Sequence, residues 1–139
     1  MKKRTPVSKI MTQNVITLNS TDDLVLAEQL FKKHNIRHIP VVSGNEIIGM
    51  LSYTDLLRIS FADAVYEDEQ EVDTVVYNMF TIEQVMAKNL VSVTSSTTIK
   101  EVAELLAVKE FHALPIVDDS KLIGIVTTTD LINYLLDQY

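Results

Sequence analysis

The feature that most constrains this chain is a segment that occurs twice. Residues 10–57 align without a gap with residues 85–132, which is a shift of 75 positions. A chain built from two copies of one unit is expected to fold with a pseudo-two-fold axis, and a site formed by one copy should have a counterpart in the other. The identical pairs include Met11 and Met86, Asn14 and Asn89, Pro40 and Pro115, Gly49 and Gly124, and Asp55 and Asp130.

The length and composition favour one domain whose two halves depend on each other. Of the 139 residues, 47% are hydrophobic and 22% charged, which is typical of a globular protein. A copy of roughly 50 residues buries too little surface to keep a core by itself, so the copies are expected to pack together. No apolar run approaches the ~20 residues of a membrane span, and the basic N-terminus lacks a signal peptide's apolar stretch.

Two further counts exclude classes of function. The absence of cysteine rules out disulfides, thiolate metal sites and cysteine nucleophiles, and it is typical of a cytoplasmic protein. The net charge of −7 argues against binding along a nucleic-acid backbone, which needs a basic face. We therefore expect a cytoplasmic protein that contacts neither nucleic acid nor membrane.

The periodicity of both copies predicts the order strand, helix, strand, strand, helix, and hence an α+β fold. Pro40 lacks an N–H, so its strand is expected to begin there or to lie at a sheet edge. The spacing of Thr98 and Glu101 predicts a capping box. In copy one the elements are a strand at 14–18, capping residues at 19–22, a helix from 24, a hairpin of 39–42 and 47–51 turned at 43–45, and a helix from 54. In copy two they are a strand at 91–93, a helix from 99, a hairpin of 114–117 and 122–126, and a helix at 130–136.

The unmatched residues between the copies predict a linker. We assign residues 8–60 to the first motif, 61–81 to an acidic linker, and 82–139 to the second motif. The linker holds an acidic run at residues 67–73, which favours a solvated loop or helix face. A docking surface for a basic partner is the alternative, and apolar residues on both sides of the run predict that part of the linker is helical.

Polar residues that follow each hairpin indicate a binding site. Ser52, Thr54 and Asp55 stand where a strand ends and a helix begins, and the second copy has Thr127 and Asp130 there. Helix N-termini expose unpaired N–H groups that suit phosphate, and a carboxylate can accept hydrogen bonds from a ribose diol. Phosphate and diol together describe a nucleotide. The alternative is that these residues only cap helices.

Arg37 and His112 occupy equivalent positions before a strand in the two copies. Both side chains can bind an anion, Arg37 in bidentate fashion and at any pH. The alternative is an exposed helix end, where basic residues favour the dipole.

A catalytic or metal-binding constellation is absent from the sequence. The three histidines lack metal-ligand spacing, and there is no nucleophile elbow, P-loop or dinucleotide fingerprint. Gly49 and Gly124 lie within predicted strands, which indicates either a bulge or the close approach of a backbone or ligand. We therefore expect no enzyme, no metal and no resident cofactor.

Taken together, these residues resemble the CBS domain family, the cystathionine-β-synthase-type regulatory module. The resemblance implies two β-α-β-β-α motifs paired as a Bateman module, association into a homodimer through helices, and binding of adenosine compounds such as AMP, ADP, ATP or S-adenosylmethionine in two clefts. The matching segments are Ile10-Met11-Thr12 and Val85-Met86-Ala87, Arg37-His38-Ile39-Pro40 and His112-Ala113-Leu114-Pro115, Ile48–Ser52 and Ile123–Thr127, and Thr54-Asp55-Leu56 and Thr129-Asp130-Leu131.

The resemblance also implies which residues line each cleft. His112 departs from the arginine of copy one, and a partly neutral histidine anchors phosphate more weakly, so the cleft with Asp55 is expected to bind the more highly phosphorylated ligand. One cleft would use Asp55, Thr54, Ser52, Met50 and Arg37, with Asn89, Leu90 and Val91 around the base. The other would use Asp130, Thr129, Thr127, Ile125 and His112, with Asn14, Val15 and Ile16 around the base.

The expected function is a stand-alone regulatory module that binds an adenosine nucleotide and signals to a regulated protein by a conformational change. The first alternative is a ligand-free interaction or dimerisation module. The second, a nucleotide hydrolase, lacks a general base and a metal site.

Overall fold

The computed structural model describes residues 4–63, 77–109 and 111–139, with backbone alone at 60–63. The predicted acidic run at 67–73 and most of the predicted linker lie outside the described residues. The α+β class is confirmed, and the predicted helices and hairpins occur in the predicted order, whereas the first strand of the second copy is reduced to a single bridge at Val93. A 3-10 turn at Val7–Lys9 precedes β1 (Leu18–Asn19), α1 (Leu24–His34), β2 (His38–Ser43), β3 (Glu46–Ser52), α2 (Tyr53–Asp63), α3 (Ile82–Val85), α4 (Ile99–Val108), β4 (Ala113–Asp118), β5 (Lys121–Thr127) and α5 (Thr128–Asp137).

The chain divides into two compact units, and their boundaries do not coincide with the repeats. Unit A comprises residues 16–89, and unit B comprises residues 1–15 together with 90–139. Each unit therefore holds most of one repeat plus the opening segment of the other. Unit A contains the sheet β1-β2-β3 and unit B the hairpin β4-β5. The core of unit A includes Leu18, Leu24, Ala27, Phe31, Ile39, Val41, Leu51, Leu56, Tyr77, Ile82 and Met86, and that of unit B includes Val7, Val93, Val102, Leu106, Leu114, Ile116 and Val126.

The first strand of each repeat is shorter than predicted. Leu18 pairs in parallel with Val41, and Val93 forms a single parallel bridge to Ile116, which is the same register in both repeats. Val93 N–H donates to the carbonyl of Pro115, and the next bond towards the N-terminus would need an N–H from Pro115 itself. The proline thus ends the parallel ladder at this point.

The expectation for Pro40 was wrong. Strand β2 begins two residues earlier, at His38, and it is the middle strand of its sheet. Pro40 stands opposite Met50 of β3, and the register of β1 places the missing N–H beyond the start of that short strand. A central proline is tolerated here because it costs no hydrogen bond to β3, and on the other side its missing N–H falls where the parallel ladder with β1 ends.

The helix starts and hairpin turns follow local side-chain chemistry. Helix α1 is capped by Asp23, whose side chain accepts from Leu26 N–H, one residue later than the predicted capping stretch. Thr98 Oγ1 accepts from Glu101 N–H at 3.1 Å, which is half of the predicted capping box. The second hairpin turn holds Asp119 at φ 50° and Ser120 at φ 67°, in the left-handed region. Among the described residues, no helix has the length and apolar character needed to cross a membrane.

Candidate functional site

In each unit, the opening segment of one repeat pairs with the hairpin of the other. Ala87 and Met50 exchange two backbone hydrogen bonds of 2.9 and 3.0 Å in unit A. Thr12 and Ile125, the equivalent residues, exchange bonds of 2.9 and 3.1 Å in unit B. Met50 and Ile125 are both predicted ligand residues, and both are buried. Because their backbone groups are used in these bridges, only their side chains are free to contribute to a ligand site.

The two strand glycines make room for methionines of the opening segments. A Cβ at Gly49 would lie 2.8 Å from Cγ of Met86 and would overlap its sulfur. A Cβ at Gly124 would lie 2.8 Å from Sδ of Met11 and 3.0 Å from the carbonyl oxygen of Thr12. Both alternatives predicted for these glycines are therefore found. A methionine approaches each glycine closely, joined at Gly124 by the Thr12 backbone, and a register irregularity lies beside each glycine in the hairpin ladder.

The end of the first hairpin assembles the predicted residues of repeat one around the start of α2. His38 pairs with Ser52 across the hairpin, and the Arg37 carbonyl accepts from Tyr53 N–H at 2.8 Å. Ser52 Oγ accepts from Asp55 N–H at 3.0 Å, so this hydroxyl caps the helix. Arg37, Ser52 and Asp55 thus lie at one helix N-terminus, where the backbone favours an anion.

Repeat two builds the same arrangement at α5. Ala113 pairs with Thr127, and the His112 carbonyl accepts from Thr128 N–H at 3.0 Å. Thr127 Oγ1 accepts from Asp130 N–H at 3.2 Å, and Asp130 Oδ2 accepts from Thr127 N–H at 2.9 Å. This reciprocal capping box shows that Asp130 and Thr127 do cap a helix, as the capping interpretation requires.

The two aspartates have different partners. Asp55 Oδ1 lies 3.3 Å from Nη1 of Arg58, whereas an oxygen of Asp130 is held by the capping box. The Arg58 side chain is 73% exposed and that of Asp55 is 29% exposed. Sequence reasoning missed Arg58, although a cation three residues after a carboxylate on a helix is a known pairing signal. The position equivalent to Arg58 in repeat two is Asn133.

The remaining predicted residues divide between the units. Asn89 belongs to unit A with Asp55, and Asn14 and Val15 belong to unit B with Asp130. Leu90 and Val91 belong to unit B, and Ile16 belongs to unit A. The threonines before the aspartates, Thr54 and Thr129, are exposed, as are Arg37, His112, Asn14 and Asn89.

A second aspartate in unit B has a structural task. The Asp118 carboxylate accepts from the backbone N–H of Ser95 at 3.0 Å and from its hydroxyl. These two hydrogen bonds stabilise the charged form and hold the pKa of Asp118 below its ordinary value. The contact ties the loop before α4 to the end of β4. Within the described ranges, no group of three or more His, Asp or Glu residues could hold a metal ion.

Comparison with known proteins identifies the sequence family. The model of the CBS domain matches twice, at residues 7–62 and 82–137. The CBS domain-containing protein YhcV of Bacillus subtilis is 31% identical over 125 residues, covering 90% of this chain and 81% of its own length. Two proteins of Methanocaldococcus jannaschii are each 31% identical over 94% and 97% of this chain, which spans only 42% and 33% of their lengths.

Solved structures share the fold. The CBS domain pair of protein MJ0100, in complex with 5′-methylthioadenosine and S-adenosylmethionine, has a TM-score of 0.81 at 25% identity and covers 97% of this chain and 98% of its own. CBSX2 in complex with AMP has a TM-score of 0.79 at 25% identity and covers 96% of this chain and 97% of its own.

Proposed function

Because this chain belongs to the CBS domain family, we propose that it is a non-catalytic regulatory module that binds adenosine-containing ligands beside Asp55 and Asp130. One observation carries the proposal: an aspartate and a capping hydroxyl lie at a helix N-terminus to which the backbone of an exposed arginine or histidine is hydrogen-bonded, and the arrangement occurs twice. Two solved structures of the same fold are complexes, one with AMP and the other with 5′-methylthioadenosine and S-adenosylmethionine.

Each element of the arrangement has a task in ligand binding. The carboxylates accept hydrogen bonds from the two ribose hydroxyls. The helix N-termini and Arg37 or His112 attract phosphate. Asn89 and Asn14 follow the segments bridged at Ala87 and Thr12 by two residues, and they contribute amide groups that suit an adenine edge.

Signalling rests on the exchange of opening segments between the repeats. A ligand that contacts both a hairpin end and an opening segment binds best when that bridge has one geometry. Such a ligand shifts the population of arrangements by its differential affinity, and a regulated protein reads the shift.

The test is a thermal-shift panel with AMP, ADP, ATP and S-adenosylmethionine, with and without Mg²⁺. A ligand at 100 times its Kd stabilises a protein by about 2.7 kcal/mol. For a chain of this size that corresponds to roughly 5–10 °C in Tm. The shift should disappear in the Asp55→Ala, Asp130→Ala double variant. Asp23→Ala is the matched control, since it removes a helix cap away from both sites and should keep the shift. A panel without any shift would refute the proposal.

Exposed apolar side chains favour a second role as a homodimerisation module. Leu57 of α2 and Ile132 of α5 are equivalent in the repeats and are 46% and 57% exposed. Leu135 and Leu136 extend the apolar surface of α5. We propose that a second copy of the chain covers these helices. Light scattering should give twice the mass of the chain for the native protein and the single mass for an Ile132→Glu, Leu136→Glu variant. A native monomer at micromolar concentration would contradict this role.

A further inference from the structure

The two aspartates at the proposed sites differ in the charged residues near them. In repeat one, Arg58 pairs with Asp55 at 3.3 Å, and Arg37 is tied to the same helix start through its carbonyl group. Arg58 therefore compensates the Asp55 carboxylate, and Arg37 is an exposed cation whose backbone lies at the same helix start.

In repeat two, neither of the two equivalent residues is a permanent cation. His112 stands for Arg37, and Asn133 stands for Arg58. The Asp130 carboxylate accepts a backbone N–H of Thr127 instead of a guanidinium group. Neither position therefore supplies a permanent cation to the Asp130 carboxylate.

From this contrast we infer that the position beside Asp55 selects phosphorylated adenosine compounds, that the position beside Asp130 selects adenosine compounds without phosphate, and that Arg58 and Asn133 set this difference. The inference rests on the proposed function, because it assigns ligand classes to the same two sites.

The physical reason is the charge that a phosphate meets beside each carboxylate. A phosphate monoester carries about −1.5 to −2 charges at neutral pH, so an uncompensated carboxylate repels it. Arg58 compensates Asp55, whereas Asn133 leaves Asp130 uncompensated. Ribose binding itself needs only the carboxylate oxygens, so this repulsion acts on the phosphate and not on the nucleoside. One exposed charge near the ligand changes the affinity for a phosphorylated compound by about two- to fivefold.

The geometry also gives Arg58 a task specific to the unliganded state. Its guanidinium group pairs with an Asp55 oxygen that a ribose diol needs. A neutral nucleoside must displace this group and offers it no new partner. A phosphorylated ligand compensates for that displacement, because the released guanidinium group can turn towards the phosphate. Both effects raise the preference for AMP over adenosine beside Asp55.

The experiment measures the Kd of AMP and of adenosine by calorimetry on the full chain. Asp130→Ala isolates the Asp55 site, and Asp55→Ala isolates the Asp130 site. Where loss of the cap loosens α5, Asp130→Asn serves instead, because its amide oxygen can still accept from Thr127. Each background then receives one charge change: Arg58→Asn at the first site and Asn133→Arg at the second.

The ratio of AMP affinity to adenosine affinity should fall about two- to fivefold in Arg58→Asn and rise by a similar factor in Asn133→Arg. Arg58→Lys should keep the native ratio. Lys100→Asn removes an exposed cation from α4 and should leave both ratios unchanged. The effects should shrink in 0.5 M salt, because exposed charges are screened.

Two results would overturn the inference, and they are distinguishable. If native protein binds AMP or adenosine but the charge changes leave both ratios unaltered, the assignment of ligand classes is wrong while the proposed function stands. If native protein binds neither AMP nor adenosine, the inference is overturned, and the proposed function fails with it only when the thermal-shift panel with ADP, ATP and S-adenosylmethionine also shows no shift.

Discussion

Because Gly49 contacts Met86, we expect Gly49→Ala to destabilise the protein when Met86 is present and to stabilise it when Met86 is replaced by alanine. In a strand without steric conflict, alanine is favoured over glycine by roughly 0.5–1 kcal/mol. Here the added methyl group would overlap Met86, which is only 9% exposed. Overpacking of this kind costs about 1–3 kcal/mol, and moving the methionine out of the core forfeits burial worth about 1.5–3 kcal/mol. We expect Gly49→Ala to lower the free energy of unfolding by about 1–2 kcal/mol.

The matching Met86→Ala background isolates the contact. That substitution itself should cost about 2–5 kcal/mol, but it removes the atoms that the new methyl group meets. Gly49→Ala should then become stabilising by about 0.5 kcal/mol, which gives a coupling energy of about 1.5–2.5 kcal/mol in the double-mutant cycle. Urea denaturation with linear extrapolation measures all four variants, and the m-value should stay constant.

Gly124 provides the internal comparison. Its added methyl group would meet the backbone oxygen of Thr12 as well as Met11, and a backbone atom in a paired bridge cannot move aside. Gly124→Ala should therefore remain destabilising in a Met11→Ala background. If Gly49→Ala costs the same with and without Met86, within about 0.5 kcal/mol, the methionine contact is not what requires glycine.

Three further predictions concern local chemistry. Ser120→Gly should raise the free energy of unfolding by about 0.5–1 kcal/mol, since Ser120 lies at φ 67° where glycine is unstrained; a lower Tm in calorimetry would contradict this. Asp118→Asn should destabilise the protein at pH 7 and progressively less as the pH falls below about 4, because the lowered pKa of Asp118 contributes stability that is present above its unfolded pKa and is lost as the pH falls through the folded value; parallel curves of stability against pH would argue against it. Thr127→Ala should cost about 1 kcal/mol through loss of the α5 cap, and Thr127→Ser should restore most of it; equal losses in both variants would assign the cost to packing instead.

Much of the fold could be predicted because it depends on near neighbours in the chain. Hairpins, helices and their order follow from periods of 2 and 3.6 residues and from turn and capping residues, all of which act within a few positions. The predicted length of the first strands was wrong because it depends on a residue in a neighbouring strand. The first strands are short because a proline in the neighbouring strand withholds an N–H, and this follows only once the parallel register is known.

The candidate site divides in the same way. The duplicated polar residues after each hairpin are visible in the sequence, and their convergence on a helix start follows from the short hairpin. The pairing of Arg58 with Asp55 was accessible from its spacing but was not predicted. The base-side residues remain a prediction, as do the ligand roles of all the site residues.

The duplicated sequence therefore determines that the chain contains two similar units and what each unit contains. It does not determine which copy an opening segment joins, because Met86 fits a pocket over Gly49 and the identical Met11 fits one over Gly124. The local sequence pattern is the same whether an opening segment joins the hairpin of its own repeat or that of the other repeat. The exchange is settled by long-range packing, in which each opening segment completes the hairpin of the other repeat through two backbone hydrogen bonds and one methionine, Met86 buried and Met11 partly buried.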